Sequence, residues 1–425
     1  MIRTFLFLLL AATALTAQTR ALLLVSIDGM GPAYVAQADR YGLKIPNLRR
    51  IYAAGAHAAA VRGVLPTVTY PSHTTIMTGV WPAKHGIYVN TTFDPLGKNQ
   101  SGWYWYSEDI RVPTLWEAAH QAGYVTGSVS WPVTAGARGI DWLIPEYWRS
   151  STADDLKLLR LLATPGLVHE IEADAGPYIT DLDDAIPGDR QRTRYAEAII
   201  RRKHPRFMLV HLAALDHLEH AHGPFSKEAL ATLEELDGMI GTLDRAIHDE
   251  APDAATAIVS DHGFAAVSHQ SKIREAFVKA GLLSNNDWKA APWDAGGMAL
   301  IVLKDSSSRD TVARLLADLA RDPAYGIDRI LNRQEIARMG GAPNAEFAVD
   351  LKPGYSLGAI PQGGGGTHGF SPTHPEMLAS FFIAGPGIAR GLDLGEIDMR
   401  SIAPALAGYL GVEFRSGDLP PLSLH

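Results

Sequence analysis

Asp28, Thr69, Asp216, His220, Asp261, His262 and His368 offer oxygen and imidazole donors, and most of them sit just past an apolar run. Asp28 ends Leu22-Leu23-Leu24-Val25-Ser26-Ile27, Asp216 follows Phe207-Met208-Leu209-Val210-His211-Leu212, and Asp261-His262 follow Ala257-Ile258-Val259-Ser260. Each run reads as a short buried strand handing polar side chains to the loop beyond it. In an open α/β sheet that edge is where sites form. Carboxylate, hydroxyl and imidazole donors without a thiolate suit a pair of catalytic zinc ions, and such a pair can clamp the attacking and leaving oxygens of a phosphoryl displacement. These residues therefore predict a two-metal phosphoesterase.

The individual segments differ in how much they say. Asp216 and His220 are four apart, one helical turn, so both can face one ion, although a surface helix start would explain them as well. Ser260-Asp261-His262-Gly263 is sharper, because adjacent Asp and His can reach one metal only if the backbone turns abruptly, as glycine allows. Thr367-His368-Gly369 alone would be an ordinary loop. Gly363 to Gly366 before it predict a pliable loop able to carry one imidazole to a distant site. The run from Pro66 to Gly79 places Thr67, Thr69 and Ser72 beside a helix start with Pro71 in its first turn. Free N–H groups there favour an activated hydroxyl and an oxyanion site, and composition leaves open which of the three hydroxyls attacks.

The elements that must position these residues alternate. After the strand before Asp28 come helices near Ile45–Ala54, after Pro71 and around Thr114–Ala122, then a strand at Val125–Ser130. A helix around Gln191–Arg202 leads into the Phe207 strand, and Ser226–His248 reads as one long amphipathic helix before the Ala257 strand. This predicts an α/β fold with a mostly parallel central sheet and helices on both faces. Between His262 and His368 the pattern changes to helices near Ile273–Ala280 and Arg309–Arg321 flanking a strand at Met298–Leu303, so a cap or insertion is expected over roughly residues 267–357.

Bulk properties narrow the class. The 425 residues are 47% hydrophobic and 20% charged, a globular profile long enough for one large domain with an insertion. Met1-Ile2-Arg3 followed by an apolar stretch and Ala12-Thr13-Ala14-Leu15-Thr16-Ala17 predicts a signal peptide over residues 1–17 and a catalytic domain over 18–425. The expected product is exported, periplasmic or secreted, and free of a membrane anchor. With no cysteine there are no disulfides and no thiolate ligands. A net charge of −8 and pI near 6.0 offer no basic stripe for a nucleic-acid duplex, which leaves a small-molecule substrate and no implied protein partner.

The motifs together resemble a known family. Thr69-Tyr70-Pro71-Ser72-His73, Thr78-Gly79, Pro82, His85-Gly86-Ile87 and Asn90-Thr91-Thr92-Phe93-Asp94-Pro95 look like the active-site block of the nucleotide pyrophosphatase/phosphodiesterase family of the alkaline phosphatase superfamily. Ser26-Ile27-Asp28-Gly29, Asp216 to Pro224, Asp261-His262-Gly263 and His368-Gly369-Phe370 are similar to its other blocks, in the right order along nearly the whole chain. The resemblance implies an alkaline-phosphatase-like fold and Thr69 as nucleophile. It assigns Asp28, Thr69, Asp261 and His262 to one Zn2+ and Asp216, His220 and His368 to a second. It also implies that Asn90, with the backbone N–H after the nucleophile, binds a phosphoryl oxygen, and that Tyr70 packs against the organic group or fills the core. Hydrolysis of phosphodiester or nucleotide phosphoanhydride bonds through a phosphothreonine follows.

The chain also departs from the pattern. Ser72 stands where members commonly carry Asn, and His211, five before the metal aspartate, stands where some nucleotide-binding members carry an aromatic residue. Base stacking would then fall to Tyr70 or to Trp103-Tyr104-Trp105-Tyr106, a cluster that more often packs a core. The sulfatase motif is absent. A phosphate monoesterase, using Lys98, Lys157 or Arg149 as the added cation, or a phosphonate hydrolase shares the metal ligands. An exported binding protein with a dead site would lack at least one of them.

Overall fold

The computed structural model describes residues 20–99, 102–147, 153–180 and 184–425. The expected signal peptide and Arg149 lie outside the described residues.

The central sheet has eight strands, and the α/β architecture with a mostly parallel sheet is the one the chain adopts. Five adjacent strands run parallel, in the order Ala254–Val259, Ala21–Ile27, Phe207–Leu212, Thr126–Val129 and Trp142–Ile144. Phe381–Ala384 adds antiparallel beside Ala254–Val259, and Ala56–His57 and Leu392–Asp393 complete that edge. Strand parity divides the core. Ala21, Leu23, Val25 and Ile27 join the cluster under the Ile186–Lys203 and Lys227–Glu250 helices, while Leu22 and Leu24 join Ile76, Met77 and Leu115 on the other face. Every residue of Ala21–Ile27 is buried, so each large side chain contributes about 1.5–3 kcal/mol.

Helix boundaries follow capping chemistry. The Lys227–Glu250 helix starts where Ser226 Oγ accepts the Ala229 N–H at 3.2 Å, a cap of about 1 kcal/mol. The Ala214–His222 helix has no cap of its own, and Asp189 accepts the Ala213 and Ala214 N–H groups at 3.1 and 2.8 Å instead. Arg192 neutralises Asp189 at 2.6 Å, which fixes the start of the helix that carries Asp216 and His220. The Ile186–Lys203 helix begins earlier than periodicity suggested, because Pro187 falls in its first turn, where a missing N–H costs nothing.

Within the stretch expected to form an insertion lies a separate four-stranded antiparallel sheet, ordered Ile327–Asn332, Ala345–Leu351, Met298–Leu303 and Ala290–Asp294. Its helices are Ile273–Lys279, Arg309–Arg321 and Arg333–Arg338. Asp350 ties this sheet to the segment after His368, accepting the Ser371 N–H and facing His374 Nε2, both at 2.9 Å.

The glycine run differs from expectation. Gly365–Thr367 is a short strand, antiparallel to Ala265–Gln270, rather than a loop. A Cβ on Gly365 or Gly366 would lie 2.4 Å from the His220 oxygen or 2.6 Å from the Glu219 oxygen. These glycines therefore serve close backbone approach to the Asp216 helix, and only Gly363 and Gly364, at φ of 92° and 98°, supply the turn.

Candidate metal centre and active site

The carboxyl ends of three neighbouring parallel strands deliver most of the site. Asp28 directly follows Ala21–Ile27, Asp216 lies in the helix just beyond Phe207–Leu212, and Asp261-His262 follow Ala254–Val259. Thr69 comes from the first turn of the Thr69–Thr78 helix, all ten residues of which are buried. That helix starts two residues before Pro71, so the hydroxyl stands at the positive end of its dipole. His368 arrives on the opposite side, where Thr67 clips its segment through the Gly369 N–H at 2.9 Å.

Seven side chains far apart in sequence converge. His262 Nε2 lies 3.4 Å from Thr69 Oγ, 3.4 Å from Asp28 Oδ1 and 3.1 Å from Asp261 Oδ2. Asp216 faces His220 Nε2 and His368 Nε2, each at 3.5 Å. The rings of His262 and His368 stack at 3.7 Å and join the two groups. His262 is within reach of both clusters, yet its Nδ1 faces the Gly263 carbonyl at 3.2 Å and only Nε2 is available. His220 and His368 supply the nitrogens around Asp216, which frees His262 for Asp28 and Asp261.

Two features fit this donor set to cations. Asp28 Oδ1, Asp216 Oδ1 and Asp261 Oδ2 are buried without a hydrogen-bond partner. Carboxylate oxygens of Asp28 and Asp261 lie within 4.8 Å of one another, a spacing at which like charges repel by about 3–4 kcal/mol even at an effective dielectric of about 20. Three unpartnered carboxylate oxygens in one buried site need positive charge. The imidazoles match them: His220 Nδ1 faces the Gly366 carbonyl at 3.1 Å and His368 Nδ1 the Thr67 carbonyl at 3.2 Å, so backbone acceptors turn every Nε2 lone pair toward the site.

Burial, reinforced by the charges of Asp261 and Asp216, holds the Asp28 carboxyl well above its ordinary range, and burial with Asp261 does the same to Asp216. Burial and neighbouring imidazoles push His262 and His368 well down, which keeps them neutral as ligands require. Without metal the two aspartates thus retain protons at a pH where a free carboxylate has lost them. Zinc added to chelator-treated protein at about pH 6 should release protons, and its apparent affinity should rise with pH. Calorimetric titration in two buffers of different ionisation heat measures this; a buffer-independent heat would contradict it.

Asn90 Oδ1 accepts the Tyr70 N–H at 2.9 Å, so the two groups expected to grip a phosphoryl oxygen already stand side by side. The Tyr70 ring is fully buried, edge-on to Trp103 at 5.2 Å and to Trp105 at 6.1 Å. Trp103 and Trp105 stack on each other at 5.7 Å and extend the same cluster. Lys98 and Lys157 are exposed, and Lys157 pairs with Asp154 at 2.7 Å.

Sequence reasoning passed over several buried groups. His73 Nε2 meets Ser26 Oγ at 2.8 Å while its Nδ1 faces the Thr69 carbonyl at 2.9 Å, behind Thr69. Glu219 is fully buried beside His220 and accepts the Tyr34 hydroxyl at 2.5 Å. Its neighbourhood to Asp216 was visible in the sequence, but its inward direction was not.

Residues 22–370, most of the chain, match the sequence profile of the type I phosphodiesterase / nucleotide pyrophosphatase family. The chain belongs to that family. Among curated members of the phosphodiesterase family, it is 23% identical over 398 residues to human ectonucleotide pyrophosphatase/phosphodiesterase family member 1, covering 88% of this chain and 38% of that protein. It is 25% identical over 381 residues to the venom phosphodiesterase CdcPDE of Crotalus durissus collilineatus, covering 86% and 41%. The chain spans about two fifths of the length of these relatives. In fold it is similar to human ectonucleotide pyrophosphatase / phosphodiesterase 5, with a TM-score of 0.69 at 19% identity over 94% of this chain and 97% of that one. The murine counterpart, solved as an inactive variant in complex with AMP, gives a TM-score of 0.68 with the same identity and coverage.

Proposed function

We propose that this chain is a two-zinc phosphodiesterase or nucleotide pyrophosphatase that cleaves phosphodiester or phosphoanhydride bonds of small molecules through a phosphothreonine on Thr69. The observation that carries this reading is the convergence of one unpartnered buried oxygen from each of Asp28, Asp216 and Asp261 around three Nε2 atoms and the Thr69 hydroxyl. Asp28, Thr69, Asp261 and His262 would hold one Zn2+, and Asp216, His220 and His368 the other. Bound there, the ions supply Lewis-acid stabilisation of the charge that develops on the entering and leaving oxygens.

The chain's own residues do the rest. Thr69 Oγ gives up its proton to solvent, a loss the helix N-terminus beneath it favours, and forms a bond to phosphorus as the leaving oxygen departs with the electron pair of the bond that breaks. The Tyr70 N–H and the Asn90 amide exchange their mutual hydrogen bond for contacts to a non-bridging phosphoryl oxygen. Water then attacks phosphorus, the Thr69–phosphorus bond breaks, and the hydroxyl regains its proton. The family profile, the names of the relatives and the exposure of Lys98 and Lys157 support a diesterase over a phosphate monoesterase or phosphonate hydrolase. The apolar leader read over residues 1–17 supports export, and no described helix is long and apolar enough to cross a membrane.

The zinc-loaded protein should turn over a bis-aryl phosphate diester faster than the matching monoester. A monoester preference would overturn the diesterase reading, and folded, zinc-loaded protein that hydrolyses neither would overturn catalysis altogether.

A further inference from the structure

We propose that His211 is a positioning residue for the Asp28 carboxylate, and through it for the ion shared by Asp28, Thr69, Asp261 and His262. The inference rests on the two-metal reading above. His211 pairs in register with Ser26 across the parallel strands, two residues before Asp28. Strand parity puts its side chain on the face of Phe207 and Leu209, beneath the Thr69–Thr78 helix, while Met208, Val210 and Leu212 point the other way. The ring is 1% exposed and edge-on to His73 at 4.7 Å.

His211 Nε2 lies 3.0 Å from Asp28 Oδ2, and its Nδ1 lies 3.2 Å from the Ser130 carbonyl oxygen. Ser130 has a left-handed φ of 56°, uncommon for a residue with a Cβ, and this conformation places its carbonyl against the ring. The two Asp28 oxygens are therefore divided: Oδ2 has the imidazole, and Oδ1 has no partner and faces His262 Nε2. A carboxylate that ligates a cation can only accept a hydrogen bond, so in the loaded site the single hydrogen of the neutral ring sits on Nε2, the tautomer opposite to that of His220 and His368, and the Nδ1 contact to the Ser130 carbonyl contributes no hydrogen bond. The Nε2–H bond fixes the carboxylate plane and leaves Oδ1 alone to meet the ion, as outer-shell partners of metal ligands do.

The test measures zinc affinity rather than turnover, by competition with a chromogenic chelator, on the wild type, His211→Phe and His211→Gln. Wild type should bind two ions. The Phe variant, which keeps bulk without a donor, should weaken one ion by about 10- to 100-fold and spare the other. The Gln variant, which keeps an N–H donor, should recover much of that loss. A wild type that binds no zinc would sink the metal reading itself. A wild type with two ions and a Phe variant with unchanged affinities would overturn only the role of His211. Equal loss of both ions in both variants, with matching loss of thermal stability, would also overturn it, reducing His211 to a packing residue.

Discussion

Thr69→Ala should fold with wild-type stability, retain most of its zinc and lose at least about 10³-fold in turnover, since removing a covalent nucleophile leaves only binding and electrostatic stabilisation. The fold has no reason to fail. Thr69 packs in the first turn of a helix whose ten residues are all buried, and alanine is a better helix former at that position. Its Oγ makes one contact, 3.4 Å to His262 Nε2, so no buried partner is stranded by its removal. Seven donors become six, and Asp28, Asp261 and His262 remain for that ion. Steady-state kinetics on the diester, with zinc content measured on the same sample, checks the prediction. Wild-type rates would move the nucleophile to Thr67 or Ser72. Geometry favours Ser72 of these two, because the Thr67 hydroxyl is committed to the Phe370 carbonyl at 2.9 Å.

Asp216→Asn should have the second largest effect, with a sign that depends on metal. Burial and Asp261 hold the Asp216 carboxyl above its ordinary range. In metal-free protein an acid with a raised folded pKa costs stability as pH climbs from the ordinary carboxylate value through the raised one. The isosteric amide removes that cost, so metal-free Asp216→Asn should melt above metal-free wild type at neutral and alkaline pH, with the gap closing toward acid. With zinc the order should reverse, because the amide is a poorer ligand and the variant gains less from the ion. Zinc affinity at that position should fall by more than about 100-fold, beyond the loss typical of an outer-shell change. Thermal melts with chelator and with zinc at two pH values read both signs. A metal-free variant less stable than wild type at every pH would mean Asp216 is held by partners rather than by repulsion.

Much of this site could be read along the chain because ligand chemistry restricts residue type. Asp28 and Asp261-His262 each follow an apolar run, and a strand that must be buried can place polar groups only at its end. The Asp216 and His220 pair carried its helical spacing in the open. The mostly parallel sheet was likewise written in alternating runs, and the structure has that sheet. The inserted sheet was harder: Met298–Leu303 stood out as a fully apolar run, whereas Ala345–Leu351, which pairs with it, and Ile327–Asn332, which pairs with Ala345–Leu351, mix charged and apolar residues and became strands through pairing.

The sequence by itself determined which residues could bind metal, which hydroxyls could attack, and the order in which strands would present them. Only the tertiary structure decided that Gly365 and Gly366 are needed for close approach, that Tyr70 is packed among tryptophans, and that His73, His211 and Glu219 face inward. The reason is that residue type and spacing are local properties, fixed by covalent geometry and strand or helix period. Direction and proximity across 183 positions, as between His211 and Asp28, arise only when the sheet register sets one strand beside another.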